Sequence, residues 1–366
     1  MNLAMNPKLI ISGGGTGGHI FPALAIADEL KSQFPQASLL FVGAYNRMEM
    51  QRIPKAGYRI KGLWISGFDR KNMLRNLLFP LKLIWSLFQA FFIVARFRPD
   101  LVVGTGGFAS GPLVFVASLL GIPSLLQEQN AYPGITNKRL ASRAAAICLG
   151  SEAAQKYFPK AKTYITGNPV RAVLQDPISK AEACKLMEVS SNAFTLLVLG
   201  GSLGARKINE LVCAHLKDIT QQNIQVIWQC GSLYAADYQH LETANIRVVP
   251  FIDNMPAAYA AADLVVSRAG ALAISELCLV GKPTIFIPSP NVAENHQEKN
   301  AQALVDKQAA KMVVERQADD TFWGVLHTLI QDESLRNSLS QNIKAFARPN
   351  ATKQIVKILT QLIAHE

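Results

Sequence analysis

Gly13-Gly14-Gly15-Thr16-Gly17-Gly18-His19, directly after the apolar run Lys8-Leu9-Ile10-Ile11, decides how this chain is read. A strand that turns on glycines into a helix leaves backbone N–H groups pointing outward at the helix N-terminus, where phosphate binds. The pattern recurs. Gly104-Thr105-Gly106-Gly107 follows Leu101-Val102-Val103, and Gly200-Gly201-Ser202-Leu203-Gly204 follows Leu196-Leu197-Val198-Leu199. Such turns in both halves of the chain indicate more than one phosphate group to hold.

Around these turns, apolar runs at 8–12, 38–43, 101–104, 123–127, 146–149, 163–166, 195–199, 224–229, 246–249, 264–267 and 283–287 alternate with segments of helical period such as 22–34 and 270–280. Strand and helix in alternation imply parallel sheets covered by helices on both faces. The pattern runs twice, with a break near Gly167-Asn168-Pro169-Val170-Arg171, and 366 residues exceed what one core holds. The expected fold is therefore α/β, with two Rossmann-like doubly wound domains facing a cleft. Ligands in such sheets bind beyond the carboxyl ends of the strands, which places the glycine turns at that cleft.

The formal charge of +11 points to an anionic partner. Basic residues are scattered outside one apolar segment, which argues against a nucleic-acid partner. The five cysteines form no C-x-x-C pair and read as reduced structural thiols. The stretch 77–95 is long enough to cross a bilayer, but Pro80, Lys82 and Gln89 interrupt it. Lys82, Ser86, Gln89 and Arg96 make a polar stripe, which suits a helix lying on a surface or on a core. With Arg70, Lys71 and Arg75 beside Met73, Leu74, Leu77, Leu78, Phe79, Trp85 and Phe88, the segment fits either a dock on an anionic bilayer or a buried helix with a charged rim.

Gly13, Gly15 and Gly18 satisfy G-x-G-x-x-G, so a dinucleotide site is the first alternative. It requires an acid at the end of the second strand. That strand ends in Gly43-Ala44-Tyr45-Asn46, and Glu49 comes later, in the next helix. No turn ends in Gly-Lys-Ser/Thr, which excludes a Walker loop. His19 opens the helix after the first turn. The positive end of a helix disfavours an imidazolium, so a histidine there is a candidate general base. Gln127-Glu128-Gln129-Asn130 ends another strand and offers hydrogen bonds to a polyhydroxylated ligand. The small residues of Ser267-Arg268-Ala269-Gly270-Ala271 would let a diphosphate approach a helix start, with Glu276 two turns along for a ribose diol. There is no D-x-D sequence, so no metal or other cofactor is expected, and helix N-termini would stabilise a leaving diphosphate.

The run Gly14–Pro22 resembles the first glycine loop of the MurG family, peripheral-membrane N-acetylglucosaminyltransferases of peptidoglycan synthesis. The similarity continues, in order, through Gly106-Gly107-Phe108-Ala109-Ser110-Gly111-Pro112, Glu128-Gln129-Asn130, Gly167–Arg171, Gly200–Ala205, Phe251-Ile252-Asp253-Asn254-Met255, Ser275-Glu276 and Gln297-Glu298-Lys299-Asn300-Ala301. The resemblance implies an inverting GT-B transferase. Its acceptor and membrane-docking domain would be 1–170, its UDP-GlcNAc domain 171–345, and helix 346–366 would pack back on the first. It implies the backbone of Ile252 at the uracil, Glu276 at the ribose, and Ser202, Arg171 and Ala271, Leu272, Ala273, Ile274 and Ser275 at the diphosphate. Gln297 and Asn130 would read the sugar, with Thr16, Gly17 and Gly18 also at the donor. Gly14, Gly15, Gly106, Gly107 and Ser110 would hold the diphosphate of lipid I, the undecaprenyl-diphosphate-linked MurNAc-pentapeptide. His19 is the first candidate base and Glu128 the second. The apolar-basic segment would dock on the anionic cytoplasmic face of the inner membrane. Two departures stand out: Phe108-Ala109 replaces a frequent Tyr-Val, and His296 replaces a common glutamine.

Overall fold

The computed structural model describes residues 6–67, 76–176, 178–292 and 295–364. It divides into two compact units, Met1–Arg171 with Arg348–Glu366, and Ala172–Ala347. Arg70, Lys71, Met73, Leu74 and Arg75 lie outside the described residues.

The first unit is built on strands β1 (Lys8–Gly13), β2 (Ser38–Ala44), β3 (Ile60–Leu63), β4 (Leu101–Gly106), β5 (Ser124–Glu128), β6 (Ala146–Leu149) and β7 (Thr163–Ile165). Its helices are α1 (Gly17–Gln33), α2 (Glu49–Lys55), α3 (Phe79–Phe97), α4 (Ser110–Leu119) and α5 (Ile135–Leu140). The sheet runs in the order β3-β2-β1-β4-β5-β6-β7 and every pairing is parallel. The strand order therefore reverses between β1 and β4, the crevice where doubly wound sheets bind ligands. The first two glycine turns leave β1 and β4 side by side at that point.

The second unit repeats the plan with β8 (Phe194–Leu199), β9 (Ile224–Gln229), β10 (Ile246–Val249), β11 (Leu264–Ser267), β12 (Thr284–Phe286) and β13 (Lys311–Met312). Its helices are α6 (Lys180–Leu186), α7 (Arg206–Ala214), α8 (Leu216–Gln221), α9 (Ala235–Tyr238), α10 (Met255–Ala261), α11 (Ala271–Val280), α12 (His296–Val305), α13 (Ala318–Gln331) and α14 (Glu333–Lys344). The order β10-β9-β8-β11-β12-β13 is again parallel throughout and reverses between β8 and β11. The third glycine turn and the Ser267–Gly270 turn sit at that reversal.

The last helix, α15 (Ala351–Ala364), returns to the first unit. It packs on α1 through Ile355, Val356, Leu359 and Ile363, all buried. Each such aliphatic side chain contributes about 1.5–3 kcal/mol. The Thr352 hydroxyl also donates to the Val170 carbonyl at 3.1 Å.

Three boundaries differ from the periodicity. Helix α1 begins at Gly17, upstream of the expected 22, because glycines carry no apolar period to read. Strands β3 and β13 were not expected. Each lies at a sheet edge, and β3 owes its place to pairing with β2, Phe41 opposite Ile60 and Val42 opposite Lys61.

Candidate active site

In the first unit, the ring of His19 is fixed by backbone. Its Nδ1 lies 3.0 Å from the Thr105 carbonyl oxygen and 3.0 Å from Oε1 of Gln129. A carbonyl only accepts, so Nδ1 carries the proton. Nε2 has no partner among the described residues and faces outward as the acceptor. Thr105 braces the same turn from below, its hydroxyl donating to the His19 carbonyl at 2.7 Å. Gly106, at φ +103°, passes directly beneath the ring, and a Cβ there would lie 2.7 Å from His19 Nδ1.

A ladder of buried amides holds Gln129 in place. Its Nε2 donates to the Thr105 carbonyl at 2.8 Å and to Oε1 of Gln127. Gln127 in turn donates to Asn168 Oδ1 at 3.2 Å, and Asn168 donates back to the Gln129 carbonyl at 3.2 Å. Only one orientation of the amides satisfies every partner, which sets the ladder's direction.

Glu128 occupies a different environment from His19. It is buried, and Oε1 accepts from the backbone N and Nδ2 of Asn130 at 3.0 and 3.1 Å. Oε2 accepts from Gly134 N at 3.0 Å and Asn137 Nδ2 at 2.8 Å. Both oxygens thus hold the loop after β5. The Oδ1 of Asn130 has no partner among the described residues.

The first glycine turn is partly saturated. Gly14 N donates to the Gly106 carbonyl at 3.3 Å, and Gly15 N to Glu49 Oε2 at 2.9 Å. The groups left for an anion are the N–H groups of Thr16, Gly17 and Gly18, together with that of Gly107. Ser110, at the start of α4, is buried and donates to the Gly107 carbonyl at 3.0 Å. Arg171 belongs to this unit, with its guanidinium 5.3 Å from the Phe21 ring of α1.

Glu49 has a role that its sequence position alone does not announce. It lies at the start of α2, fully buried, and also accepts from Ala44 N at 3.0 Å. An acid does reach the end of β2, but from the following helix. It points at the glycine turn, so both its oxygens serve backbone instead of a ribose. The available signal was a lone carboxylate in the first turn of a helix just beyond a strand end.

In the second unit the third turn packs tightly against the turn after β9. Gly204, at φ +94°, lies against Gly231, and a Cβ on it would strike the Cys230 carbonyl and the Tyr234 ring. Gly200 N donates to the Gln229 carbonyl at 3.1 Å, while the Ser202 hydroxyl has no partner among the described residues. After β11 the chain enters α11 through Gly270, over which space is open. The N–H groups of Leu272 and Ala273 face that opening without partners among the described residues. Ile274 N returns to the Gly270 carbonyl at 2.9 Å, and the Ser275 hydroxyl to that of Ala271 at 2.9 Å. Arg268 turns away from the opening, donating to the Ile287 carbonyl at 2.9 Å and to Glu315.

Glu276, largely buried, accepts from the Tyr259 hydroxyl at 3.0 Å. The N–H of Ile252 is taken by Gln229 Oε1 at 2.9 Å, which leaves its carbonyl for a base N–H. Gln297 Oε1 accepts from Ser289 N at 2.9 Å, which leaves Nε2 to donate. The second unit thus offers, around one strand-order reversal, a helix start and a hydroxyl for a diphosphate and a buried acid for a diol. No group of three or more His, Cys, Asp or Glu side chains converges among the described residues.

Helix α3 turns Lys82, Ser86 and Gln89 of its polar stripe toward the unit, while Arg96 is exposed. Ser86 is buried, Gln89 accepts from Trp64 N at 2.8 Å, and Lys82 donates to Ser66 Oγ at 3.2 Å. Its opposite side exposes Leu81, Ile84, Trp85, Phe88, Phe91 and Phe92. The apolar side of this helix is therefore bare, and the reading of a buried helix with a charged rim does not hold. The helix is long and apolar enough to cross a membrane by length and composition.

Two Rossmann-like units, each with a glycine turn at its strand-order reversal, make the GT-B fold. The chain belongs to glycosyltransferase family 28: residues 9–149 match the family's N-terminal domain and 195–357 its C-terminal domain. It is 54% identical to the UDP-N-acetylglucosamine--N-acetylmuramyl-(pentapeptide) pyrophosphoryl-undecaprenol N-acetylglucosamine transferase of Flavobacterium psychrophilum, over 97% of this chain and 98% of that one. The Bacteroides thetaiotaomicron enzyme of the same name is 47% identical over 98% of each chain. Among solved structures, Acinetobacter baumannii MurG is 29% identical with a TM-score of 0.73, covering 98% of this chain and 100% of that one.

Proposed function

We propose that the protein transfers GlcNAc from UDP-GlcNAc to the C4 hydroxyl of MurNAc in lipid I, with inversion, to give lipid II. The family and the close relatives support the substrates. The observation that carries the chemistry is the ring of His19, whose Nδ1–H is committed to a backbone carbonyl so that Nε2 is left to accept. In the reaction the acceptor oxygen forms a bond to C1 of GlcNAc and gives its proton to Nε2. The bond from C1 to the diphosphate oxygen breaks, and its electron pair leaves with UDP. The start of α11 and Ser202 stabilise that charge as it develops. Glu276 holds the ribose, the Ile252 carbonyl the uracil, and Gln297 the sugar hydroxyls. Glu128 keeps the loop bearing Asn130 in shape.

The bare side of α3 supports docking on the cytoplasmic face of the inner membrane, with aromatics at headgroup depth and flanking cations on lipid phosphates. The test is UDP release on mixing the protein with UDP-GlcNAc and a lipid I analogue. Acceptor-dependent release is expected. Folded protein giving no release above the acceptor-free background contradicts the reading, and release only with a different lipid acceptor reassigns the substrate.

A further inference from the structure

A second cavity in the first unit lies away from both glycine turns. It occupies about 890 Å³ below the amino ends of β2 and β3, beside the last turn of α3. Lys31, Arg59, Lys61 and Arg96 line it, and no carboxylate does among the described residues. The nearby Asp28 is occupied by the Tyr58 hydroxyl at 2.6 Å. The side chains of Arg59, Lys61 and Arg96 make no hydrogen bond or ion pair among the described residues. The floor is apolar, with Ile93 and Phe97 of α3 contributing. At 100° per residue, Arg96 falls on the flank of α3, next to the exposed stripe of Phe88 and Phe92. Arg96 thus borders both the cavity and the exposed side of the helix.

We propose that this groove binds the headgroup of an anionic phospholipid, its phosphate on Arg59, Lys61 and Arg96 and the start of an acyl chain against Ile93 and Phe97. A cationic rim over an apolar floor matches an anionic amphiphile and nothing wholly polar. Three unpaired cations without a counter-carboxylate leave the site short of negative charge. With α3 lying flat and its aromatics sunk below the headgroups, the flank sits at phosphate depth. The proposal rests on reading α3 as the membrane-facing helix. It adds one saturable lipid site to what would otherwise be a diffuse attraction.

Soluble dihexanoyl-phosphatidylglycerol, below its micelle concentration, is titrated into the full-length protein by calorimetry. One saturable site is expected, and the double variant Arg59→Ala/Lys61→Ala should weaken it about tenfold or more. The charge-matched control Lys160→Ala/Lys353→Ala should leave it unchanged. Dihexanoyl-phosphatidylcholine and inorganic phosphate should each bind at least tenfold more weakly. Absence of saturable binding, equal loss in the control variant, or inorganic phosphate binding as tightly as the lipid overturns the proposal. Cosedimentation with vesicles containing phosphatidylglycerol separates it from the membrane reading. Phe88→Ser/Phe91→Ser should abolish vesicle binding and keep the short-chain lipid site. Wild-type protein that ignores vesicles but binds the soluble lipid refutes the docking helix and leaves the groove standing.

Discussion

Glu49→Gln tests whether a buried carboxylate props the first glycine turn. The side chain is fully buried and splits its oxygens between Gly15 N at 2.9 Å and Ala44 N at 3.0 Å. Glutamine retains one oxygen and turns an NH2 group on the other donor, so one backbone N–H loses its partner. An orphaned buried donor costs about 1–3 kcal/mol. For a unit of this size each kcal/mol lowers the melting temperature by about 2–4 °C, which gives a fall of roughly 2–12 °C. Differential scanning calorimetry with and without UDP-GlcNAc is the assay. The nucleotide should raise only the transition of Ala172–Ala347, which identifies the other as that of the first unit. The variant should lower the first-unit transition, weaken acceptor use, and leave the affinity for UDP-GlcNAc unchanged. An unmoved first-unit transition, or a loss of donor affinity, refutes the reasoning.

Gly106→Ala should push the His19 ring from its seat and lower kcat at least tenfold while donor affinity, measured by calorimetry, stays constant. Ser202→Ala removes one hydroxyl from the diphosphate site and should raise the Kd for UDP-GlcNAc about three- to tenfold; an unchanged Kd would place the diphosphate elsewhere. Burial pushes the thiols of Cys148 and Cys278 up to about 12 and raises those of Cys184 and Cys230, whereas Cys213 is exposed. Native protein at pH 8 should therefore give one fast thiol with a chromogenic disulfide reagent, abolished by Cys213→Ser, and all five should react after denaturation.

Much of the fold is legible because three of the central strands are apolar runs that lead straight into glycines. β1, β4 and β8 each carry their own punctuation, and parallel sheets buried on both faces leave no alternation to confuse it. The edges are less so. Ile60-Lys61-Gly62-Leu63 is too short and too interrupted to announce a strand, and only β2 beside it makes it one. The sidedness of α3 is hidden for another reason. Its polar residues mark one side without telling surface from core, and only the bonds of Gln89 and Lys82 to Trp64 and Ser66 decide it. Site residues at helix starts and strand ends could be named from local motif. What each does could not, since the tautomer of His19 and the support of Gly15 by Glu49 arise from partners 34 to 110 residues away.

If His19 removes the acceptor proton and has no part in holding the nucleotide, its loss should spare donor binding and cripple transfer. The measurement is transfer to a lipid I analogue by wild type and His19→Gln, with the Kd for UDP-GlcNAc determined on the same samples. A fall of about 10²- to 10⁴-fold in kcat with Kd unchanged is expected. A variant that transfers at the wild-type rate, or one whose only defect is loss of UDP-GlcNAc binding, contradicts it.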